Sequence, residues 1–336
     1  MKIFITTPSF AIHGGIRIIL EWANRLTKWH DVTLFCLSGE SSCDWFNLSS
    51  KIKIVHSDNM KEMDCLIITS PHSIYLEDSV SCPKKVFIFA QMAEHLFNPT
   101  NKRWFELCKK FYTSNHPMFS ISEWNIKLFS EFGRTAKTHY IRNGVNFIDF
   151  PISYKSKDMK TILVEGWECT NPSKDSEYLG PRAARKLRDS GYYIIAFSQK
   201  ELTNYCPVPH EYYVKPSLEK MNELYERATI MIKATKFDAR SCAPMEAMTK
   251  GTVTFRAIDE GDDDLINAEN CIKIPYSQLQ DYSYNSVEDE IVKRIIGLTT
   301  INSEYLSQLS NNARKYVQNK CGWDEVIWEI HKIISE

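Results

Sequence analysis

The sequence predicts an α/β protein with two doubly wound, Rossmann-like domains of parallel strands. Short apolar runs rich in β-branched and aromatic residues alternate with helical patterns along the chain, which is typical of parallel α/β construction. The alternation starts again after a polar linker at 153–160, SYKSKDMK. The chain has 336 residues, more than one hydrophobic core usually holds. We therefore expect one domain at 1–154, a second at 155–320, and a closing helix at 321–336.

The first half begins with the run KIFITT, which predicts a strand, and continues with apolar residues at helical spacing from about Gly15 to Leu26. Later apolar runs predict strands at 31–36, 52–55, 64–69, 85–90, 118–122 and 137–141. Between residues 101 and 117, one helical stripe consists of Trp104, Leu107, Cys108 and Phe111, and the basic residues lie elsewhere. That pattern predicts an amphipathic helix with a buried apolar side, and contact with nucleic acid or lipid headgroups is the alternative.

The second half repeats the alternation, with strands predicted at 161–165, 192–197, 229–233 and 252–255. Helical patterns cover 177–190, 218–228, 287–298, 304–319 and the residues from about Trp323. The segment PMEAMTKG predicts one more short helix. Pro244 suits the first helical position, Gly251 suits the residue just past the end, and Glu246 then lies in the first turn.

Composition and charge exclude several classes of protein. A net charge of −1 at pH 7 gives no overall attraction to nucleic acid or to an anionic membrane. The ten cysteines are scattered without a C-x-x-C pair or histidines at zinc spacing, so we expect reduced thiols in a cytoplasmic chain. The start MKIFITTP lacks the features of a signal peptide, and no run approaches membrane-spanning length. We expect any membrane contact to be peripheral.

The stretch at 236–270 carries the densest group of candidate residues. Asp238 is followed by seven residues and then by Glu246-Ala247-Met248, with Gly251 and an apolar strand after them. Next come EGDDDLI and NAENCIKI. The predicted helix directs its unpaired N–H groups toward the residues before Pro244, where an anion such as a nucleotide diphosphate would be stabilised.

This ordered pattern resembles the retaining glycosyltransferases of the GT-B fold in glycosyltransferase family 4. That family carries an acidic residue, seven others, then Glu-Ala-Met and a nearby Gly. Its Gly-Gly-x-x-Glu-Leu-Ile loop is similar to EGDDDLI, its Asn-Gly-Val-Asp segment to NGVNFIDF, and its final helix, which crosses back to the first domain, to CGWDEVIWEIHKII. The resemblance implies two Rossmann-like domains facing a central cleft, and transfer of a sugar from a nucleotide donor with retention of anomeric configuration.

The resemblance also implies roles for residues of this stretch. Glu246 would bind the nucleotide ribose, and Asp238, one methylene shorter than the usual Glu, would bind hydroxyls of the donor sugar. The backbone of Ser241, Cys242 and Ala243 would bind the diphosphate. Structural roles are the alternatives: Asp238 as a turn residue that bonds its own backbone, and Glu246 as a carboxylate that stabilises the helix dipole.

Three further loops follow predicted strands, where α/β sheets bind ligands. The loop HGGIR resembles the family's Gly-Gly loop, which makes Gly14, Gly15 and Arg17 donor-binding candidates and places His13 beside them. It does not match G-x-G-x-x-G, and no acidic residue ends the second strand, which argues against a dinucleotide oxidoreductase. A tight turn is the alternative for the two glycines.

After VFIFA, Gln91 stands where many relatives have a His that touches the donor sugar, with His95 close by. We take Gln91 and His95 as catalytic candidates, and His72, after DCLIIT, as another candidate. A structural histidine is the alternative for His95 and His72.

The loop GWECTNPSKD at 166–175 resembles the family's Gly-Arg and Lys-Gly segment, whose two cations clamp the diphosphate. Gly166 and Lys174 are the donor-binding candidates. Trp167 stands where the arginine is expected, so Lys174, Arg240, Arg182 or a metal would have to neutralise the leaving group. We expect no cofactor and no obligatory metal, because the run GDDD at 261–264 predicts first a capped, solvated helix start.

The favoured function is therefore a glycosyltransferase that uses a nucleotide-diphosphate sugar and acts on a glycan or a lipid-linked saccharide. One alternative is a glycosyltransferase that acts on a modified DNA base. The other is a non-catalytic nucleotide-sugar-binding module, suggested by Trp167 and Gln91 in place of polar groups that the family usually has.

Overall fold

A computed structural model describes residues 1–56, 63–76, 84–165, 179–199, 201, 209–258, 260–275 and 284–336, without the side chains of 284–287. The chain forms two compact units. Unit 1 comprises residues 1–143 and 323–336, and unit 2 comprises residues 144–322. The last helix of the chain thus belongs to the same unit as the first strand.

Unit 1 contains a seven-stranded parallel sheet in the order β3-β2-β1-β4-β5-β6-β7. Its strands are β1 Lys2–Thr7, β2 Asp31–Cys36, β3 Lys53–Val55, β4 Cys65–Ile68, β5 Lys85–Ala90, β6 Met118–Ser120 and β7 Thr138–Tyr140. Its α-helices are α1 Gly14–Leu26, α2 Lys102–Tyr112, α3 Glu123–Glu131 and, from the C-terminus, α9 Trp323–Ser335. Short 3-10 turns at Pro71–Ser73 and Glu94–Phe97 follow β4 and β5.

Helix α2 is the amphipathic helix that the sequence predicts. Cys108 and Phe111 belong to the buried core of unit 1, with Trp104 and Leu107 packed against it. Its basic residues are exposed on the other side: Lys102, Arg103, Lys109 and Lys110. Burial of the apolar stripe is therefore enough to explain the aromatic residues, as expected.

Unit 2 repeats the topology with a six-stranded parallel sheet in the order β10-β9-β8-β11-β13-β15. The strands are β8 Thr161–Glu165, β9 Tyr193–Ser198, β10 Glu211–Val214, β11 Ile230–Ala234, β13 Val253–Ala257 and β15 Cys271–Ile274, with a separate pair β12 Phe237–Asp238 and β14 Glu260–Gly261. The helices are α4 Leu179–Asp189, α5 Leu218–Arg227, α6 Cys242–Thr249, α7 Tyr284–Thr300 and α8 Ser303–Lys320.

The short helix α6 begins earlier than the sequence predicts. It starts at Cys242, so Pro244 is its third residue and Glu246 lies in the second turn. Pro is tolerated there because the first N–H groups of a helix have no intrahelical acceptor. The end is as expected: Gly251 has φ +66°, its N–H donates to Met248, and the next N–H, of Thr252, donates to Ala247. This pair of bonds satisfies the last carbonyls of the helix.

The polar linker is bound to the rest of unit 2 by hydrogen bonds from Ser153 and Lys157. The Lys157 ammonium donates to the carbonyls of Tyr225 (2.8 Å) and Ala228 (2.6 Å) and to the Thr252 hydroxyl (2.6 Å). Ser153 N–H donates to the last helical carbonyl of α6, that of Thr249, at 3.0 Å. The linker therefore holds α5 and α6 against the start of β13.

Candidate functional site

The candidate residues of unit 2 lie where the strand order of the sheet reverses. The chain runs outward from β8 through β9 to β10, and then returns to the other side of β8 with β11. In sheets of this kind ligands bind beyond the carboxyl ends of the strands that flank this switch. Those strands are β8, which ends at Glu165, and β11, which leads to Asp238.

A buried lysine joins these two strand ends. The Lys233 ammonium on β11 lies 2.8 Å from Oε1 of Glu165 and 3.5 Å from Oδ2 of Asp238. Burial lowers the pKa of Lys233, but the charges of Glu165 and Asp238 outweigh it and leave that pKa above its usual value. The ammonium is therefore charged, and it holds both carboxylates beyond the carboxyl ends of β8 and β11.

Asp238 is held by its backbone as well as by its side chain. Strand β12 pairs with β14 so that Asp238 faces Gly261, and the N–H of Asp262 donates to the Asp238 carbonyl at 2.8 Å. A Cβ on Gly261, where φ is +89°, would lie only 1.8 Å from that carbonyl oxygen. Glycine is thus required at this close approach. The side chain of Asp238 is 11% exposed.

In the acidic run at 261–264, Asp262 and Asp264 are buried and Asp263 is exposed, and no helix starts there, so the predicted solvated helix start is wrong. Asp262 is 1% exposed, forms an ion pair with the fully buried Arg256, and accepts bonds from Ser241 N–H (2.7 Å) and Ser241 Oγ (3.1 Å). A carboxylate can be buried when a cation and hydrogen-bond donors surround it. Asp262 therefore fixes Ser241, the residue immediately before helix α6.

Asp264 pairs with Arg240 in the same way. Nη1 of Arg240 lies 2.8 Å from Asp264 Oδ2, and Nη2 donates to Cys321 Sγ at 3.3 Å. The Tyr316 hydroxyl donates to Asp264 from α8, and burial followed by that bond raises the pKa of Tyr316. With a side chain 1% exposed, the Arg240 guanidinium serves this internal pair. It is not placed to take the role of the missing arginine.

Glu246 lies on the second turn of α6 and is 7% exposed. The Tyr225 hydroxyl, from α5, donates to its Oε2 at 3.2 Å. Since no acidic residue occupies the first turn of α6, stabilisation of the helix dipole no longer explains this carboxylate well. Ser241, the residue before the helix, makes no side-chain capping bond, and Cys242 and Ala243 are half-buried.

Two predicted loops of unit 1 come together. The Gln91 side chain, after β5, donates through Nε2 to the Gly15 carbonyl at 3.0 Å. The Gly15 N–H donates to Nδ1 of His13, which precedes α1, at 3.1 Å. A Cβ on Gly15 would lie 3.4 Å from that nitrogen. Gly14 is exposed and Arg17 is half-buried on the first turn of α1. Gln91 thus binds the first turn of α1, where the two glycines lie.

His95 and His72 have ordinary structural partners. His95 is 8% exposed, its Nδ1 lies 3.3 Å from the Tyr112 hydroxyl, and burial lowers its pKa. His72 is exposed, with its ring 4.8 Å from that of Trp104. Both histidines thus contact aromatic residues of helix α2, and their roles in the reaction stay predictions. Burial raises the pKa of Glu94, which precedes His95, to about 8.

The other predicted donor-binding residues, Gly166 and Lys174, lie outside the described residues, as does Trp167. The described residues contain no group of three or more His, Cys, Asp or Glu side chains that could hold a metal ion. None of the helices in the described part of the chain has the length and hydropathy needed to span a bilayer.

Comparison with known proteins gives matches in structure. The sequence matches no protein-family model and no curated protein sequence. Sucrose-phosphate synthase from Thermosynechococcus elongatus has a TM-score of 0.74 at 10% identity, over 99% of this chain and 98% of that one. Anabaena HepE in complex with UDP-glucose has 0.71 at 10%, over 100% and 99%. An α-glucosyltransferase in complex with UDP and a 13-mer DNA containing an HMU base has 0.65 at 12%, over 100% and 99%.

These similarities cover both units, and they confirm the predicted GT-B fold with two Rossmann-like domains. At such low identity they concern the fold.

Proposed function

We propose that this chain is a glycosyltransferase that moves a sugar from a nucleotide-diphosphate sugar to an acceptor hydroxyl, with retention, and that it belongs to glycosyltransferase family 4. The observation that carries the proposal is the position of Asp238 and Glu246. Both acidic residues follow β11, at the strand-order switch of unit 2, in a fold shared along the whole chain with a structure bound to UDP-glucose.

Each group has a role that its chemistry supports. Asp238, held by Lys233, accepts hydrogen bonds from hydroxyls of the donor sugar. Glu246, oriented by Tyr225, accepts bonds from the ribose hydroxyls. The first-turn N–H groups of α6, at Cys242 and Ala243, stabilise the diphosphate through their partial positive charge.

Departure of the nucleotide leaves negative charge on the diphosphate, and this charge needs a positive partner. With Arg240 engaged by Asp264, we assign that task to Lys174, to the Gly166 loop and to the N-terminus of α6. No obligatory metal enters the proposal. In unit 1, the resemblance implies that Gly14, Gly15, Arg17 and the loop of Gln91 contact the substrates. The Gln91 side chain holds the Gly15 carbonyl.

The test is turnover of nucleotide sugars by the purified chain. We expect wild type to release a nucleoside diphosphate from one donor in a panel, and Asp238→Asn and Glu246→Gln to lower this rate by at least about a hundredfold. The matched control is Glu219→Gln, an exposed acidic residue in the first turn of α5, which should leave the rate unchanged. Tight donor binding without turnover, on any glycan or lipid-linked saccharide, would instead support the non-catalytic binding module.

A modified DNA base is a second candidate acceptor. One structural neighbour is an α-glucosyltransferase in complex with UDP and DNA. The exposed side of α2 presents four basic residues, and phosphate contacts of that kind give strongly salt-dependent binding. A gel shift with duplex DNA that weakens steeply with salt, and that is reduced when Lys109 and Lys110 are changed to Gln, would favour this acceptor. Absence of a shift at low salt would exclude it.

A further inference from the structure

The switch of unit 2 holds one more carboxylate than the resemblance to family 4 provides for. Glu165 is the last residue of β8, and its Oε1 accepts a bond from the Lys233 ammonium at 2.8 Å. The same ammonium lies 3.5 Å from Asp238. Two carboxylates therefore share one ammonium, and this group carries a local net charge of −1.

The second oxygen of Glu165 has no such partner. Oε2 is buried and makes no hydrogen bond to any described residue, although the side chain as a whole is 24% exposed. An ionised carboxylate offers about four acceptor positions, and leaving a buried one unused is costly. The arrangement is thus incomplete without a hydrogen-bond donor from outside the described residues.

We propose that Glu165 is a second sugar-binding carboxylate, which accepts a hydrogen bond from a hydroxyl of the donor sugar. Lys233 holds the carboxylates of Glu165 and Asp238 in position. This inference rests on the proposed function. The donor hydroxyl is a neutral hydrogen-bond donor, which suits a carboxylate. The diphosphate is an anion, and two carboxylates with one ammonium would repel it. The group therefore lies on the sugar side of the donor, with the N-terminus of α6 on the phosphate side.

The rival explanation is a purely structural ion pair. A lysine buried on a central strand needs a counter-charge, and Glu165 and Asp238 supply it whether or not a sugar binds. The two explanations differ in one measurable quantity. If Glu165 binds the sugar, it strengthens binding of the nucleotide sugar but not of the bare nucleotide, whereas a structural ion pair affects both equally.

The experiment is calorimetric titration with UDP and UDP-glucose, and with GDP and GDP-mannose, ADP and ADP-glucose, and dTDP and dTDP-glucose. The quantity compared is the sugar ratio, the Kd of the nucleotide divided by the Kd of its sugar form. We expect Glu165→Gln to lower this ratio by about tenfold or more, the usual effect of losing a hydrogen bond to a charged group. The Kd of the bare nucleotide should stay within about twofold of wild type.

Glu211→Gln is the matched control. Glu211 is the first residue of β10, at the amino end of the same sheet, and it pairs with Arg227 at 2.9 Å. Its loss should leave the sugar ratio unchanged. If Glu165→Gln does not fold, Glu165→Asp replaces it, because it keeps the local net charge at −1 and leaves Lys233 to hold Asp238. Its carboxylate is one methylene farther from the sugar, so Glu165→Asp should also lower the ratio.

Three results would overturn the inference, and they are distinguishable. A wild-type ratio in folded Glu165→Gln, or in folded Glu165→Asp where the Gln variant does not fold, leaves the proposed function intact and makes the ion pair structural. If wild type binds a nucleotide and its sugar form equally well, neither Glu165 nor Asp238 contributes to sugar binding, although the nucleotide still binds. Failure of wild type to bind any nucleotide in the panel contradicts the proposed function itself.

Discussion

Replacing Asp262 by Asn should destabilise unit 2 by about 3–5 kcal/mol, the usual cost of leaving one charge of a buried ion pair without its partner. Asp262 is 1% exposed and Arg256 is 0% exposed, so water cannot take the place of the lost carboxylate. Asn retains an acceptor oxygen for the Ser241 N–H and tolerates the φ of +46° at this position. The variant therefore changes mainly the charge.

The free energy of unfolding is measured by urea denaturation followed by circular dichroism. The control is Glu223→Gln, which removes an exposed partner of Lys220 and should cost less than about 0.5 kcal/mol. Because a chain with two units need not unfold in one step, amide hydrogen exchange of residues 238–251 shows where the loss occurs. We expect faster exchange in α6, since Asp262 holds Ser241 at its start.

The double variant Asp262→Asn/Arg256→Met tests the reasoning further. Removing the arginine takes away the uncompensated charge, so most of the lost stability should return. A single variant as stable as the Glu223→Gln control, or a double variant no more stable than Asp262→Asn alone, would refute the argument.

Three further outcomes are expected. Gly261→Ala should lower the free energy of unfolding, measured by thermal denaturation, by about 2 kcal/mol or more, because its Cβ would lie 1.8 Å from the Asp238 carbonyl oxygen. The control Gly297→Ala, with open space around the added Cβ, should be neutral or stabilising, and equal effects of the two substitutions would contradict this. The pKa of His30 is lowered from 6.5 to about 4, chiefly by burial and then by the N-terminal amine and His331. The free energy of unfolding above pH 6.5 should therefore fall by about 3 kcal/mol as the pH is lowered to 4, and His30→Gln should flatten that part of the stability profile. Sugar transfer should be unchanged by EDTA; loss of activity restored by Mg²⁺ or Mn²⁺ would show that a metal is required.

The fold could be predicted largely from local patterns. The run KIFITT and the apolar runs after it are strands because β-branched and aromatic side chains suit a buried parallel sheet. Helix α6 was predicted as an element, but its start was placed two residues late. Pro244 suits any position in the first turn, so it does not by itself identify the first residue of a helix.

The candidate site was predictable only in part. The spacing of Asp238 and Glu246 was visible in the sequence, and so was the two-glycine loop. The environment of the acidic run at 261–264 was not, because Asp262 and Asp264 pair with arginines that lie between six and 24 positions away in the chain. A signal was present: Lys233 and Arg256 interrupt apolar strands, and a charge in a buried strand needs a partner.

The order of apolar and polar residues alone determined that this protein is α/β, that its strand pattern starts again in the second half, and that Asp238 precedes a short helix that contains Glu246. Those properties depend on neighbours along the chain. Only the tertiary structure decided that Lys233 joins Glu165 to Asp238, and that Arg240 belongs to an internal ion pair. Such pairings depend on which strands become neighbours in the sheet, and a buried charge takes its partner from whichever strand or loop packing brings within reach.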